Sequence, residues 1–197
     1  NIGGISNITL IDSNNELISF DCGPGNCLID KILYEKTNQK IHFDLNGEIA
    51  INNNPNQTIL ESYLMDPFFE LQFPKSLDTN DFSLSPVRTL DLKTAVSTLS
   101  EFTIQSIVKS LTLLSESPTS IILCGGGRKN KYFFKRLKEI LKISIINIDD
   151  LQIDGDFIES AAFGYLAIRS LQSKPITYPG TTGVRFPVTG GTLVHSN

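Results

Sequence analysis

Cysteine and histidine are scarce in this sequence, and their scarcity excludes several kinds of site. Three cysteines are an odd number for a disulfide framework, so Cys22, Cys27 and Cys124 are expected to be reduced thiols in a cytoplasmic protein. The two histidines, His42 and His195, complete no zinc-ligand spacing. Neither accompanies a Gly-x-Ser-x-Gly elbow, so the pattern of a serine hydrolase is missing too.

Long apolar runs and an excess of positive charge are also missing. No stretch of membrane-spanning length is free of charge, so we expect no transmembrane helix and no membrane partner. Residues 1–4 lack the basic start of a signal peptide. The formal net charge of −4 argues against a nucleic-acid partner. A basic cluster is expected to be a solvated helix face: Arg128, Lys129, Lys131, Lys135, Arg136 and Lys138.

The pattern of apolar residues predicts a hairpin followed by helices in the first half of the chain. Residues 1–21 combine a β-branched run, a turn and a returning apolar segment, and a loop over 21–26 follows. Helical spacing begins at Leu28. Residues 44–56 are rich in Asn and Gly and predict a loop, and a short helix is expected over 58–65.

The second half predicts a long helix and then an alternation of strands and helices. An apolar stripe runs from about residue 91 to 114. The expected elements after it are a strand over 121–124, a helix over 130–141, a strand over 143–148 and a helix over 156–171. This alternation predicts an α/β layer. Beyond Lys174, prolines and glycines indicate turns.

Three glycine-rich turns lie at the ends of predicted strands, and each could present backbone N–H groups to an anion. Any one of them could equally be a structural turn, but the set favours a nucleotide site. The carboxylate of Asp21 could also reach a hydroxyl or a metal-bound water. The candidate ATP-binding residues are Asn1, Gly3, Gly4, Asn7, Asp21, Gly23, Gly25, Asn26, Gly125, Gly126, Gly127 and Asn130. A dinucleotide fingerprint ranks low, because Asn130 stands where its third glycine belongs.

Glu159 is the candidate substrate-binding residue. On a helix it shares a face with Ala162, Phe163 and Leu166, where a carboxylate is costly unless it has a partner or a ligand. Asp156 and Glu159 also have the spacing of a capping box, so the spacing leaves both roles open.

Taken in order, four segments resemble the anhydro-N-acetylmuramic acid kinase family: 1–7, 20–26, 124–130 and 154–163. Residues 74–76 are similar to that family's Pro-Pro-Lys-Ser-Thr segment. The resemblance implies an α/β fold, an actin-like ATPase (ribonuclease H-like) lobe with a mixed sheet flanked by helices. Residues 1–172 would be the C-terminal lobe, and residues 173–197 a tail that packs back on the sheet or on the other lobe.

The resemblance also implies an activity and a set of roles. Residues 1–7 would be the second phosphate loop, residues 124–130 the adenosine motif, and Glu159 would face the sugar. ATP and Mg²⁺ would be the cofactors, an amino sugar the substrate, and a homodimer a possible assembly. The family opens the 1,6-anhydro ring and phosphorylates O6, in cytoplasmic recycling of cell-wall (peptidoglycan) sugar.

Two departures from the family pattern matter. The first phosphate loop, similar to Gly-Thr-Met-Ser-Gly-Thr-Ser, and the general-base Asp are not in this sequence, so we assign no catalytic residue and no metal ligand here. We therefore expect a truncated chain, an incomplete gene product or a separated lobe, with a non-catalytic actin-like nucleotide-binding module as the alternative. The second departure is Cys22, where the family usually has Thr.

Overall fold

The computed structural model describes residues 1–194 and alternates short strands with helices of varied length. The strands are β1 (Ile5–Ile11), β2 (Leu17–Pro24), β3 (Ser120–Leu123) and β4 (Ser144–Asn147). The helices are α1 (Cys27–Lys36), α2 (Glu48–Ile51), α3 (Gln57–Leu64), α4 (Leu92–Leu111), α5 (Lys131–Leu141), α6 (Ile158–Leu171) and α7 (Pro179–Thr182). Single 3₁₀ turns lie at Leu45–Gly47, Pro67–Glu70, Ser85–Val87, Gly126–Lys129 and Ile148–Leu151.

The strands form two small sheets flanked by helices, which confirms the predicted α/β class. β1 and β2 pair antiparallel, and β3 and β4 pair parallel. Among residues 1–194 these are two separate two-stranded sheets rather than one continuous mixed sheet. The predicted hairpin is confirmed, but β2 continues through Pro24, so the first part of the predicted 21–26 loop is strand.

Helix α4 is the centre of the core. The Asp91 carboxylate caps its first turn by accepting from the Lys93 and Thr94 amides, as expected for an N-cap aspartate. Its buried hydroxyls reach the end of β2, where Thr103 Oγ1 donates to the Gly25 carbonyl at 2.8 Å and Ser110 Oγ donates to the Cys22 carbonyl at 3.2 Å. The glycine-rich end of the hairpin therefore rests directly on α4.

The loop predicted over 44–56 is wrong in part, since it contains a 3₁₀ turn and helix α2. The Asp44 carboxylate stabilises the first turn of α2, because it accepts from the Ile49 amide at 2.9 Å and the Ala50 amide at 3.0 Å. Burial of Ala50 against α4 holds this short helix in place. Tertiary contact thus overrides an Asn- and Gly-rich sequence that disfavours helix on its own.

The outer edge of β2 is covered by the segment that follows Pro74. The Asp21 amide donates to the Lys75 carbonyl at 3.0 Å, and the Asp21 carboxylate accepts from the Leu77 amide at 2.8 Å. Lys75 itself donates to the Phe68 carbonyl and lies over the Phe68 ring. Helix α7, in the tail, also packs on β2.

The basic cluster is not a uniform solvated face, so that prediction is wrong for two of its six members. Arg128 is buried, and it precedes α5 rather than lying on it. Arg136 is half-buried and donates to Glu101, a carboxylate buried on α4, at 2.8 and 3.0 Å. Hydrogen bonds to carboxylates hold these two guanidinium groups against the protein, whereas Lys129, Lys131, Lys135 and Lys138 are exposed.

Helix α6 is held by few contacts. No residue of α6 is fully buried, and Phe163 and Leu171 are largely exposed. The Arg169 guanidinium donates to the Pro175 carbonyl at 2.7 Å, which turns the tail back toward the helix. The proposed boundary at 172/173 remains a prediction, and residues 195–197 of the predicted tail, with His195, lie outside the described residues.

Within the described part of the chain, none of the helices combines the length and the apolar character that a bilayer crossing needs.

Candidate functional site

Backbone hydrogen bonds lock the first glycine-rich turn to the third. The Ile2 amide donates to the Cys124 carbonyl at 2.9 Å, and the Gly127 amide donates back to the Ile2 carbonyl at 2.8 Å. Ile2 is buried between the two turns. Segments more than a hundred residues apart in sequence are therefore held in one fixed arrangement.

The second turn joins the same assembly from the other side. The Gly25 amide donates to the Gly4 carbonyl and the Asn26 amide to the Gly3 carbonyl, both at 2.8 Å. The Asn26 side-chain amide adds a donor to the Gly3 carbonyl at 3.0 Å. All three turns predicted from the sequence converge, with the first turn in the middle.

Two glycines in the third turn have opposite surroundings. A Cβ added to Gly127 would lie 2.5 Å from Ile2 Cγ2, so only glycine fits against the buried isoleucine. A Cβ added to Gly126 would meet nothing within 4 Å. Gly126 therefore faces open space, while Gly127 lets the third turn pack closely against Ile2 of the first turn.

The first and third turns form one end of a cavity of about 1030 Å³. Of the predicted site residues, Asn1, Asn7, Gly125, Gly126 and Glu159 line it. The walls of the other end are mostly apolar and come from β1, α4 and β3, including Leu10, Leu111 and Ile122. The remaining predicted residues do not line it: Gly3, Gly4, Asp21, Gly23, Gly25, Asn26, Gly127 and Asn130.

Besides Asn26, two of these remaining residues have side chains with structural partners. The Asn130 side-chain oxygen accepts from the Tyr132 amide at 2.9 Å and the Phe133 amide at 3.3 Å, which makes it the N-cap of α5. Asp21 accepts from the Leu77 amide, and burial raises the pKa of its carboxyl. Both residues shape the turns, and their role in ATP binding remains a prediction.

Arg128 is the residue at this end of the cavity that sequence reasoning missed. Its guanidinium donates to Asp149 at 2.9 Å, to Asp156 at 2.8 Å and to the Gly125 carbonyl at 3.1 Å. Hydrogen bonds from Arg128 lower the pKa of Asp149, and hydrogen bonds from Lys129 and Arg128 lower that of Asp156. The available signal was the acidic segment 149–156, whose Gly155 lies against the guanidinium.

Glu159 lies in the first turn of α6 and is exposed, beside Ile158 and Ala162 on the cavity wall. The capping-box alternative is wrong, because the N-cap of α6 is Phe157 and no side-chain cap bond is present. The Asp156 carboxylate instead accepts from Arg128 and Lys129. Glu159 is therefore presented to the cavity without a capping duty.

The charges at this end are largely paired. Arg128 and Lys129 are the nearby cations, and both engage Asp156. Over residues 1–194 no group of three or more His, Cys, Asp or Glu side chains is placed to hold a metal ion. An anion at this end would therefore meet backbone amides of the turns more than free cationic side chains.

Comparison with known proteins decides the family. The sequence profile of anhydro-N-acetylmuramic acid kinase matches residues 1–196. The chain belongs to the anhydro-N-acetylmuramic acid kinase family. Curated relatives of that name are 40% identical over 194 residues in Caulobacter vibrioides, 42% over 191 residues in Methylorubrum populi and 40% over 194 residues in Zymomonas mobilis.

The match covers nearly all of this chain but only part of each relative. It covers 98%, 97% and 98% of this chain but 52%, 50% and 53% of the three relatives. The chain thus spans about half the length of the curated relatives it matches.

Proposed function

We propose that this chain forms part of an ATP-dependent kinase that acts on anhydro-N-acetylmuramic acid. The observation that carries the proposal is that the first and third glycine-rich turns, joined by backbone hydrogen bonds, line one cavity together with Glu159. Membership in a family of kinases favours this function over a non-catalytic nucleotide-binding module. The cytoplasm as its location, and peptidoglycan recycling as its purpose, belong to the same proposal.

In this proposal the nucleotide lies against the first and third turns. Gly125 and Gly126 supply a backbone surface that a nucleotide can approach closely, and Gly126 has open space beside it. Asn1 and Asn7 add side-chain amides at the same wall. Because Arg128 and Lys129 already engage carboxylates, recognition of the phosphates rests on backbone N–H groups.

The sugar lies toward Glu159 on the facing wall, where an exposed carboxylate can accept hydrogen bonds from sugar hydroxyls. The reaction adds water at C1 and breaks the C1–O6 bond. O6 then forms a bond to the γ-phosphorus while the bond from the γ-phosphorus to the bridging oxygen breaks, releasing ADP. This chain contributes positioning to the reaction, because none of its described carboxylates is assigned as the general base.

Mg²⁺ would neutralise phosphate charge in such a reaction. The part of the chain described by the structure places no cluster of carboxylates to hold it. The described residues therefore do not fit a protein-held metal site, and no step is assigned to one. The proposal also includes a homodimer as the assembly.

The nucleotide assignment is tested by titrating a non-hydrolysable ATP analogue calorimetrically into the wild type, Gly126→Val and Gly126→Ala. Valine projects into the open space beside Gly126, so we expect at least about tenfold weaker binding, while alanine changes affinity less. Thermal melts should show that both variants are folded at the temperature of the titration, because an added Cβ meets no atom within 4 Å. Equal affinity for all three proteins would remove the third turn from the nucleotide site.

A further inference from the structure

A second cavity, of about 360 Å³, lies between the β1–β2 sheet, helix α6 and the tail. Its lining includes Thr9 and Ser19 of the sheet, Tyr165 and Arg169 of α6, and Tyr178 of the tail. Thr9 alone also lines the larger cavity, and none of the candidate site residues named from the sequence lines the second one. The second cavity is therefore distinct from the candidate site for nucleotide and sugar.

Arg169 is the charged side chain of this cavity, since the other described residues that line it are apolar or neutral. Its half-buried guanidinium donates to three neutral acceptors. These are the Pro175 carbonyl at 2.7 Å, the Tyr165 hydroxyl at 3.1 Å and the Tyr178 hydroxyl at 3.0 Å. The guanidinium is thus fixed in place by groups that do not offset its charge.

Other arginines of the chain are neutralised within the fold. Arg88, Arg128 and Arg136 each form an ion pair with a carboxylate. Over residues 1–194 Arg169 forms no such pair, although it is no more exposed than Arg88. A half-buried charge is stable when it has an opposite charge or a polar ligand, so Arg169 is open to an anionic partner.

Hydrogen-bond donors are also in excess around Arg169. A guanidinium has five N–H donors, of which the three bonds above use three. Tyr165 and Tyr178 accept from Arg169 through their oxygens, so each phenolic O–H is still available to donate. The remaining N–H and O–H groups lie on side chains that line one cavity, where an acceptor can use several of them together.

We propose that this cavity is a binding site for a small organic carboxylate. The carboxylate oxygens accept from Arg169, Tyr165 and Tyr178, because a carboxylate matches the planar fork of a guanidinium and supplies the negative charge that the lining lacks. Leu166 and Ile176 add apolar wall for a short aliphatic body. The proposal depends neither on the kinase activity nor on the nucleotide assignment.

The test titrates sodium butyrate into the 197-residue chain at constant ionic strength. Its neutral counterpart, butyramide, is the matched ligand. Binding is followed by NMR through the Arg169 Nε–H signal and the backbone amides of Thr9 and Ser19. We expect saturable shifts with butyrate and at least about tenfold weaker binding of butyramide, which brings no charge to Arg169. Inorganic phosphate should bind more weakly than butyrate, because it has no aliphatic body to bury.

Variants separate the guanidinium from general surface charge. Arg169→Gln should weaken butyrate binding at least about tenfold, measured on the Thr9 and Ser19 amides. Arg185→Gln is the matched control, because Arg185 is an exposed arginine of the tail outside the cavity, and it should leave binding unchanged. Tyr178→Phe removes one O–H donor but keeps the bond from Arg169 to the tail, so it should weaken binding about three- to tenfold in a chain whose tail is still held.

Five results would overturn the proposal. Butyrate could give no saturable shift, or butyrate and butyramide could bind equally well. Equal weakening by Arg169→Gln and Arg185→Gln would assign the effect to overall charge. Tighter binding of phosphate than of butyrate would assign the cavity to an inorganic anion. Finally, Gly126→Val should leave butyrate binding unchanged, and its loss would place butyrate at the third turn instead.

Discussion

The Arg128 guanidinium and the Asp149 carboxylate lie 2.9 Å apart, with almost no solvent access to the arginine side chain. The same guanidinium reaches Asp156 and the Gly125 carbonyl, so one side chain ties the third glycine-rich turn to the segment that precedes α6. The third turn and the segment that leads into α6, which carries Glu159, are thereby held together by a residue that has no contact assigned to either proposed ligand.

Replacing Arg128 with Ala should lower the free energy of unfolding by about 2–3 kcal/mol, because it strips hydrogen bonds from two carboxylates and a carbonyl and leaves a hole behind Gly155. Chemical denaturation measures the change. Lys129→Ala is the matched control, since Lys129 shares Asp156 but is exposed, and its loss should cost less than about 1 kcal/mol. Equal effects of the two substitutions would contradict the structural role of Arg128.

The contact between α4 and α5 should depend on the Glu101 carboxylate. Burial opposes its ionisation, but hydrogen bonds from Arg136, Tyr132 and Gln105 more than offset burial and lower its pKa. Tyr132 donates its hydroxyl proton to Glu101 at 2.5 Å, so Tyr132→Phe should cost about 1–2 kcal/mol of stability at neutral pH. Lys135→Ala, which removes an exposed 3.9 Å pair with Glu139, should change stability by less than about 0.5 kcal/mol.

The sign of the pH dependence follows from the lowered pKa of Glu101. Its stabilising contribution is complete above the ordinary carboxyl pKa and is lost as the pH falls through the lower, folded-state pKa. The cost of Tyr132→Phe should therefore shrink in strongly acidic solution. Unfolding curves of both proteins at neutral and acidic pH measure this, and a cost that grew on acidification would be the wrong sign.

Asp30 on α1 should act in the opposite direction. Burial raises its pKa to about 6, above the value for an unfolded chain, so the folded protein holds this proton more tightly. Asp30→Asn should stabilise the protein by about 1 kcal/mol at pH 8, a figure discounted for partial exposure, and the gain should vanish below about pH 4. Thermal melts across this range test it, with the exposed Glu61→Gln as the control.

Glu159 can now be tested as a ligand alone. Because no cap bond depends on it, Glu159→Gln should leave the free energy of unfolding within about 0.5 kcal/mol of wild type. If the carboxylate faces the sugar, binding of anhydro-N-acetylmuramic acid should weaken at least about tenfold. Calorimetry on the whole kinase, with this substitution introduced, measures the affinity, and unchanged sugar binding would leave Glu159 without a role in the site.

Local patterns were enough to predict the hairpin, the long helix and the strand–helix alternation, because each has a clear apolar period. The three turns at strand ends favoured a shared site, but the contacts that join them could not be predicted locally, since the Ile2–Cys124 bond joins distant segments. Arg128 was not predicted because a basic run has the same sequence pattern whether its members face water or bind aspartates. Helix α2 was not predicted because the Asp44 cap and the contact with α4 outweigh its weak local helix propensity.

The cover on β2 has a consequence for how copies of this protein can associate. The Lys75 backbone carbonyl accepts from the Asp21 amide, and helix α7 packs on the same strand. The outer edge of β2 therefore cannot pair with another chain. Growth of this sheet between molecules can then proceed only from the β1 edge. Two copies that met edge to edge would each use up that edge, so the association would end as a symmetric pair instead of lengthening into a fibre.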